Sequence, residues 1–265
     1  MIRRVGRWAA AVAAVAFACV AYTYLTLPDV RPLAKENPNS TAFSDLRARE
    51  AEAAGKPPKH VQRWIPLRRI SPSLTRAVLV AEDAAFYQHD GVDYYELRKS
   101  IELDWARGEF SRGASTITQQ LAKNLYLSPS KNPLRKFREL LIARRLEAEL
   151  TKARILELYL NLIEWGDGIY GIEAAAQAYY GRSASTLGPS ESALLAGAII
   201  NPRVLNPAKP TRRLLRRQQI ILRRMGGGAA APAASKASRT VDDEDADAPE
   251  ERNSSGAEDR ESAQK

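Results

Sequence analysis

Two adjacent acids, Glu82 and Asp83, follow an apolar helical run and open the segment EDAAFYQHDG at residues 82–91. Carboxylates near the C-terminal end of a helix oppose the negative end of the helix dipole, so their ionised form is disfavoured. An acid whose pKa is raised by such a site and by apolar surroundings can serve as a general base. The local pattern leaves one alternative open, namely that both acids simply face water.

A second polar stretch, GASTITQQLAKN at residues 113–124, leads from small and hydroxyl residues into a helix. The spacing of Thr116 and Gln119 fits a capping box. The free N–H groups of a helix start can receive an anion or sugar hydroxyls, and amide side chains supply the donors and acceptors that carbohydrate recognition needs. Ordinary capping explains the hydroxyl residues equally well, but it does not require Gln119, Gln120 and Asn124.

The third stretch, KNPLRKFRE at residues 131–139, concentrates basic residues just before an acid. Arg135 precedes Glu139 by one helical turn, which is the spacing of a side-chain ion pair. One interpretation is an ordinary surface pair, worth about 0.3–0.5 kcal/mol. The other is a cationic cradle for phosphate, with Glu139 as a second carboxylate at its edge.

A fourth stretch, KARILELYLN at residues 152–161, is followed by EWGDGIYG at residues 164–171. The glycines formally match a dinucleotide-binding fingerprint, but the preceding residues have helical spacing rather than that of a strand. We expect these glycines to make a tight turn between helices. We expect Glu157 and Tyr159 to pack and to orient neighbours rather than to react.

Other reaction classes lack the residues they need. The sequence contains neither a GxSxG nucleophile motif nor a phosphate-binding Walker loop, and its two histidines are His60 and His89. Its one cysteine, Cys19, excludes an intrachain disulfide and a Cys/His zinc cluster. The remaining chemistry is that of carboxylates, amides and cations.

The elements that must position these residues are mostly helices. Ser71 and Pro72 form a helix start, since proline is favoured in the first turn. Apolar residues recur at i, i+3, i+4 and i+7 from Ile155 to Leu162 and from Ile172 to Tyr179, which predicts two further helices. Sustained strand alternation is missing, so the predicted fold class is mostly α.

The ends of the chain differ in composition from its centre. Residues 8–27 form an uncharged run of 20 residues, enough to cross a hydrocarbon core of about 30 Å, and arginines precede it, which places the remainder outside the cytoplasm. A cleaved signal peptide is the alternative, but its apolar core is shorter and ends in small residues. The predicted organisation is a cytoplasmic N-terminus (1–7), a transmembrane anchor (8–27), a proline-containing stalk or linker (28–60), a catalytic domain (61–225) and a disordered acidic tail (226–265).

The net charge of +9 is unevenly distributed along the chain. Residues 226–265 carry ten acids and five bases, a net charge of −5, which leaves +14 on residues 1–225. Such an excess of positive charge favours anionic partners, namely phosphates, nucleic acid or a membrane surface.

Together these stretches resemble, in order and spacing, the motifs of the peptidoglycan glycosyltransferases, which polymerise lipid II in bacterial cell-wall synthesis. The resemblance covers residues 61–225 and is closest to the monofunctional type, since the chain ends without room for a transpeptidase domain. It implies a lysozyme-like, mostly helical domain beside the membrane, with one N-terminal transmembrane helix. The segments that carry it are EDAAFYQHDG, GASTITQQLAKN, RKFRE, KARILELYLN and a fifth, RQQIIL, at residues 217–222.

The resemblance also implies a role for each matching residue. Glu82 matches the catalytic glutamate, which acts as general base on the 4-hydroxyl of the acceptor N-acetylglucosamine. Glu139 matches a second glutamate that assists the leaving group or contacts a metal. Asp83 would orient the base or a divalent cation, Mg²⁺ or Mn²⁺. Asp83 and Glu139 are candidate metal contacts without a firm assignment. No organic cofactor is expected. The substrate-binding positions are Asp83, His89, Ser115, Thr116, Gln119, Gln120, Lys123, Asn124, Lys131, Arg135 and Lys136.

The implied reaction is an inverting displacement at the anomeric carbon of the donor N-acetylmuramic acid, with departure of undecaprenyl pyrophosphate. The expected partners are lipid II, the growing glycan, the membrane and other cell-wall synthesis proteins, but no nucleic acid. The expected location is the bacterial inner membrane, with the catalytic domain on its periplasmic face. Two alternatives remain. One is a membrane-anchored muramidase, which would not need the basic residues. The other is a catalytically silent scaffold, which would not need the two glutamates.

Overall fold

The computed structural model describes residues 2–107, 115–128 and 133–226. The site candidate Lys131 and residues 227–265 of the predicted tail lie outside the described residues. The described α-helices are α1 (Ile2–Leu25), α2 (Ala42–Ala53), α3 (Pro72–Glu82), α4 (Tyr94–Arg107), α5 (Ile117–Tyr126), α6 (Pro133–Glu149), α7 (Lys152–Leu162), α8 (Ile172–Tyr180), α9 (Pro189–Ala198) and α10 (Arg212–Gly226). The described strands are β1 (Val61–Gln62), β2 (Glu164–Gly166) and β3 (Ile169–Tyr170).

The prediction of a mostly α fold is confirmed, and so are the helix starts on which it rested. Helix α3 begins at Pro72 with Ser71 before it, and α5 begins after a capping box in which Thr116 and Gln119 bond reciprocally. The apolar residues predicted for α7, from Ile155 to Leu162, are fully buried or nearly so. Because α7 packs against α5, α6 and α8, it forms the centre of the core.

Part of residues 28–60, predicted as a stalk or linker, packs against this core. Val30 is completely buried and Leu33 nearly so, and both belong to the main hydrophobic cluster. Helix α2 follows within the segment, with a capping box between Thr41 and Ser44, and it packs against α5. The few buried apolar residues of this segment have no sustained periodicity, so the sequence pattern did not indicate that they are buried.

The glycine-rich segment after α7 is a small β-hairpin rather than the predicted simple turn between helices. Strand β3 pairs antiparallel with β2 and parallel with β1, which gives the order β1-β3-β2. Gly168 and Gly171 have φ values of 72° and 78°, which side chains other than glycine rarely adopt. The glycines are therefore needed for the backbone path of the hairpin, not for a dinucleotide.

Gly171→Ala should lower the free energy of unfolding by about 2–4 kcal/mol, because a new Cβ adds overpacking to backbone strain. The added atom would lie 2.7 Å from the backbone oxygen of Asn161. Gly55→Ala is the control, since Gly55 also has a positive φ but open space around its Cα, and it should cost only about 1 kcal/mol. Urea unfolding measures both, and equal losses would contradict the steric argument.

Helix α1 occupies most of the segment predicted as a transmembrane anchor. Within the part of the chain that the structure describes, no helix combines the length and the apolarity that crossing a membrane requires. The anchor over residues 8–27 therefore stays a prediction.

Candidate active site

Glu82 is the last residue of α3, and its side chain is only 12% exposed. Its Oε2 accepts a hydrogen bond from Nε2 of Gln120 at 2.9 Å, and its Oε1 lies 3.9 Å from Nη2 of Arg217. Helices α3, α5 and α10 therefore meet at this carboxylate. Water-facing acids were the alternative for Glu82, and its burial rules that alternative out.

Burial raises the pKa of Glu82 above its ordinary value, because the ionised form loses hydration. The hydrogen bond from Gln120 and the positive charges of Arg217 and Lys123 lower the pKa, whereas the neighbouring Asp83 raises it. The net effect is upward. A carboxylate with a raised pKa is a stronger proton acceptor than an exposed glutamate and suits a general base.

Asp83 joins α3 to the start of α5. Its Oδ2 accepts from the backbone N–H of Ile117 at 2.9 Å, and its Oδ1 lies 3.0 Å from the ring Nε2 of His89. Burial raises the pKa of Asp83, while the hydrogen bonds from His89 and Ile117 oppose that shift. Both oxygens thus have protein partners, and Asp83 and His89 hold the segment after Glu82 against α5.

The polar residues at the start of α5 differ in what they contact. Thr116 is buried, and its Oγ1 accepts from the backbone N–H of Gln119 and donates to the carbonyl of Gly91. Gln119 is buried within the same capping box, and Asn124 donates to the backbone oxygen of Gln120. Among these three amides, Gln120 is the one whose side chain donates a hydrogen bond to Glu82. A substrate-binding role for all three stays a prediction.

Helix α6 brings two cations to a buried acid. Glu139 is 3% exposed, and its carboxylate accepts from Arg135 Nη1 at 2.6 Å and from Lys136 Nζ at 2.5 Å. Lys136 also donates to the hydroxyl of Ser115 at 3.2 Å, which ties α6 to the residues before α5. The interpretation of an ordinary surface pair is therefore wrong, because Glu139 is buried and has Lys136, at the i, i+3 spacing, as a second partner.

Lys123 connects the two acids electrostatically. Burial lowers its pKa, since the ammonium group loses hydration. The negative charge of Glu139 raises that pKa, Arg135 and Lys136 lower it, and Glu82 raises it. Lys123 therefore lies within the electrostatic fields of both carboxylates, that of the predicted base and that of the acid in the predicted cationic cradle.

Two residues of this site were not predicted as site residues. Arg217 of α10 contacts Glu82, and the signal that pointed to it was its place at the start of the fifth matching segment. The hydroxyl of Tyr159 donates to Oε1 of Gln120 at 3.0 Å, in agreement with the expected orienting role. Neither contact follows from local spacing, since both bring together distant parts of the chain.

The described residues do not by themselves fit a divalent cation. Across the described part of the chain, no three His, Cys, Asp or Glu side chains are grouped as metal ligands. Both oxygens of Asp83 and both oxygens of Glu139 already accept hydrogen bonds from protein donors. A bound Mg²⁺ or Mn²⁺ stays a prediction.

A buried acid close to several cations suits an enzyme that displaces an anionic leaving group. Residues 50–226 match the family model described as transglycosylase, so the chain belongs to the transglycosylase family. Its resemblance to glycosyltransferases is thereby confirmed.

Relatives with assigned names lead to the same class. The chain is 49% identical over 167 residues to the biosynthetic peptidoglycan transglycosylase of Aromatoleum aromaticum, covering 63% of this chain and 73% of that protein. It is 44% identical over 183 residues to the protein of the same name from Methylobacillus flagellatus, covering 68% and 79%. The chain is thus similar to both relatives over most of its length.

Proposed function

We propose that this protein is a peptidoglycan glycosyltransferase that polymerises lipid II into β-1,4-linked glycan strands, with inversion and release of undecaprenyl pyrophosphate. The observation that carries the proposal is the burial of one acid, Glu82, within the field of Lys123 and Arg217. The cations around Glu139 continue this positive region through Lys123. The names of the relatives support peptidoglycan as the product.

Glu82 accepts the proton of the acceptor's 4-hydroxyl as that oxygen attacks the anomeric carbon of the donor. The new carbon–oxygen bond forms on the face opposite the departing diphosphate, so the α-linked donor gives a β-linked product. The bond between the anomeric carbon and the phosphate oxygen breaks, and the diphosphate leaves with the electron pair. Gln120 donates a hydrogen bond to Oε2 of Glu82, and Oε1 of Glu82 faces Arg217.

The cations act on the leaving group. A diphosphate needs its developing negative charge stabilised more than it needs a proton, and Lys123, Arg135 and Lys136 supply fixed positive charge for this purpose. Because both oxygens of Glu139 accept from Arg135 and Lys136, this acid is suited to positioning those cations. A lysozyme-type hydrolase instead needs a protonated carboxyl beside a neutral sugar oxygen. Such a reaction does not require a cluster of fixed positive charges.

The membrane is the proposed location, with α1 as the anchor and the catalytic domain on the periplasmic face of the inner membrane. Large apolar side chains are exposed on α1, α4 and α6, among them Phe17, Ile101 and Leu134. Arg138 and Arg145 of α6 donate to backbone oxygens of residues 26–28, which ties the end of α1 to the helix that carries Glu139. Lipid-linked substrates and an anchored enzyme would share one thin layer, which raises the frequency of encounter.

A cavity between α1, α5 and α6 supports this arrangement. Its volume is about 540 Å³, and it opens beside the cations of α6. Apolar and aromatic side chains share its walls with arginines, a combination that suits a lipid-linked phosphate. The lining residues include Tyr22, Tyr126, Leu134, Arg135 and Arg138.

Labelled lipid II, incubated with the full-length protein in detergent, tests the proposal. We expect long glycan strands with β-linkages, detected by gel electrophoresis and by digestion with a β-specific muramidase. Cleavage of preformed glycan without polymerisation would instead identify a hydrolase, and the absence of both reactions would favour the scaffold. A parallel arm with a chelator tests the divalent cation: loss of activity that Mg²⁺ or Mn²⁺ restores would support it, and full retention would contradict it.

A further inference from the structure

Gln120 lies between the catalytic acid and a buried phenol. Its Nε2 donates to Oε2 of Glu82 at 2.9 Å, and its Oε1 accepts from the hydroxyl of Tyr159 at 3.0 Å. The side-chain amide therefore has a donor end toward the acid and an acceptor end toward the tyrosine. Three helices contribute one member each, since Glu82 is on α3, Gln120 on α5 and Tyr159 on α7.

The tyrosine determines which end of the amide faces it. Tyr159 is fully buried, and burial together with the negative charges of Glu82 and Asp83 raises its pKa well above the ordinary value. The phenol therefore keeps its hydroxyl hydrogen at neutral pH. Donating that hydrogen to Oε1 of Gln120 satisfies a buried polar group that would otherwise be costly to leave unpaired.

The orientation of the amide in turn selects the protonation state of the acid. With Nε2 toward Glu82, the amide donates to an oxygen that must accept, which an ionised carboxylate does best. If the amide were reversed, its Oε1 would face Glu82 and would require a protonated carboxyl as donor. The phenol would then have to accept from Nε2, and its own hydrogen would lose the acceptor it has now.

We propose that Tyr159 is a positioning residue that, by fixing the orientation of the Gln120 amide, holds Glu82 in the ionised form that accepts the acceptor's proton. The inference rests on the proposed function, because it assigns the tyrosine a role in preparing that base. Tyr159 donates to Gln120, and Gln120 donates to Glu82, so the proposed influence of the tyrosine passes through the amide.

Other charged groups also act on Glu82, and they remain in place when the tyrosine is changed. Lys123 from α5 and Arg217 from α10 favour the ionised acid, whereas the adjacent Asp83 opposes it. Losing the hydroxyl of Tyr159 should therefore shift the ionisation of Glu82 rather than abolish it.

Tyr159→Phe tests the inference through the pH profile of lipid II polymerisation. We expect the acid limb of kcat to move upward by about 0.5–1 pH unit, because a hydrogen bond to the charged form is weakened. Relative to the wild-type protein, Tyr159→Phe should lose more rate at acidic pH, where Glu82 is partly protonated, than at the pH values of the plateau. Tyr179→Phe is the matched control, since it removes a hydroxyl that donates to the backbone oxygen of Trp165 and lies outside the network of Glu82.

A double-mutant cycle separates this role from a general effect on folding. Gln120→Leu alone should move the acid limb in the same direction, and Tyr159→Phe added to it should cause no further shift, since no amide is left to orient. An unmoved limb in Tyr159→Phe, or a full additional shift in the double variant, would overturn the inference. Failure of the wild-type protein to polymerise lipid II would instead refute the proposed function.

Discussion

Glu82→Gln should lower the rate of lipid II polymerisation by about 10²–10⁴-fold, the contribution of a positioned general base, and leave the protein folded. An amide has nearly the shape of the carboxylate but does not accept the hydroxyl proton at neutral pH. Its oxygen can still receive the hydrogen bond from Gln120. Because burial disfavours the charge on Glu82, removing that charge should not destabilise the fold.

Initial rates with labelled lipid II measure this effect, and circular dichroism with thermal unfolding monitors the fold. Glu52→Gln is the matched control, because it makes the same chemical change on the exposed surface of α2 and should retain the wild-type rate. Polymerisation by Glu82→Gln at more than a tenth of the wild-type rate, with an intact fold, would mean that another group takes the proton.

The helices that frame the site could be predicted because their signals are local. Proline after Ser71 marks the start of α3, and the spacing of Thr116 and Gln119 marks the start of α5. The apolar spacing from Ile155 to Leu162 appears as the buried face of α7. Such patterns report on residues within one or two turns of each other, and the structure agrees with them at these positions.

The connections between the helices could not be predicted in the same way. Gln120 is 38 positions from Glu82 and 39 from Tyr159, so no periodicity relates the three residues. Arg217 contacts Glu82 from α10 at the other end of the domain. Motif resemblance brought these residues to attention separately, but only the packing of the helices brings their side chains together.

Burial also changed the interpretation of residues that the sequence analysis had singled out. The spacing of Arg135 and Glu139 predicted an ion pair, and the pair exists, but its acid is buried and also contacts Lys136. Residues 28–60 show the same limit of sequence patterns. Val30 and Leu33 are buried, although the prolines and charges around them are typical of an exposed linker. Sequence spacing indicates which side chains share a face, whereas the neighbouring elements determine whether that face meets water.

Replacing Lys123 should have the second large effect, because Lys123 lies in the fields of both Glu82 and Glu139. Lys123→Met removes a fixed positive charge from the region proposed to receive the leaving diphosphate. We expect a loss of about 10²–10³-fold in kcat, comparable to the removal of one group that stabilises a developing negative charge. Lys35→Met, an identical change at an exposed position, should have little effect.

The pH profile gives an independent test of the same charge. Burial lowers the pKa of Lys123, so its ammonium group loses its proton at a lower pH than an exposed lysine does. The rate should therefore fall on the alkaline side as the pH rises through this lowered pKa. Lys123→Arg keeps its charge at high pH and should move that descending limb upward, even if the different geometry of the guanidinium reduces the plateau. An unchanged alkaline limb in Lys123→Arg would show that another group loses its proton there.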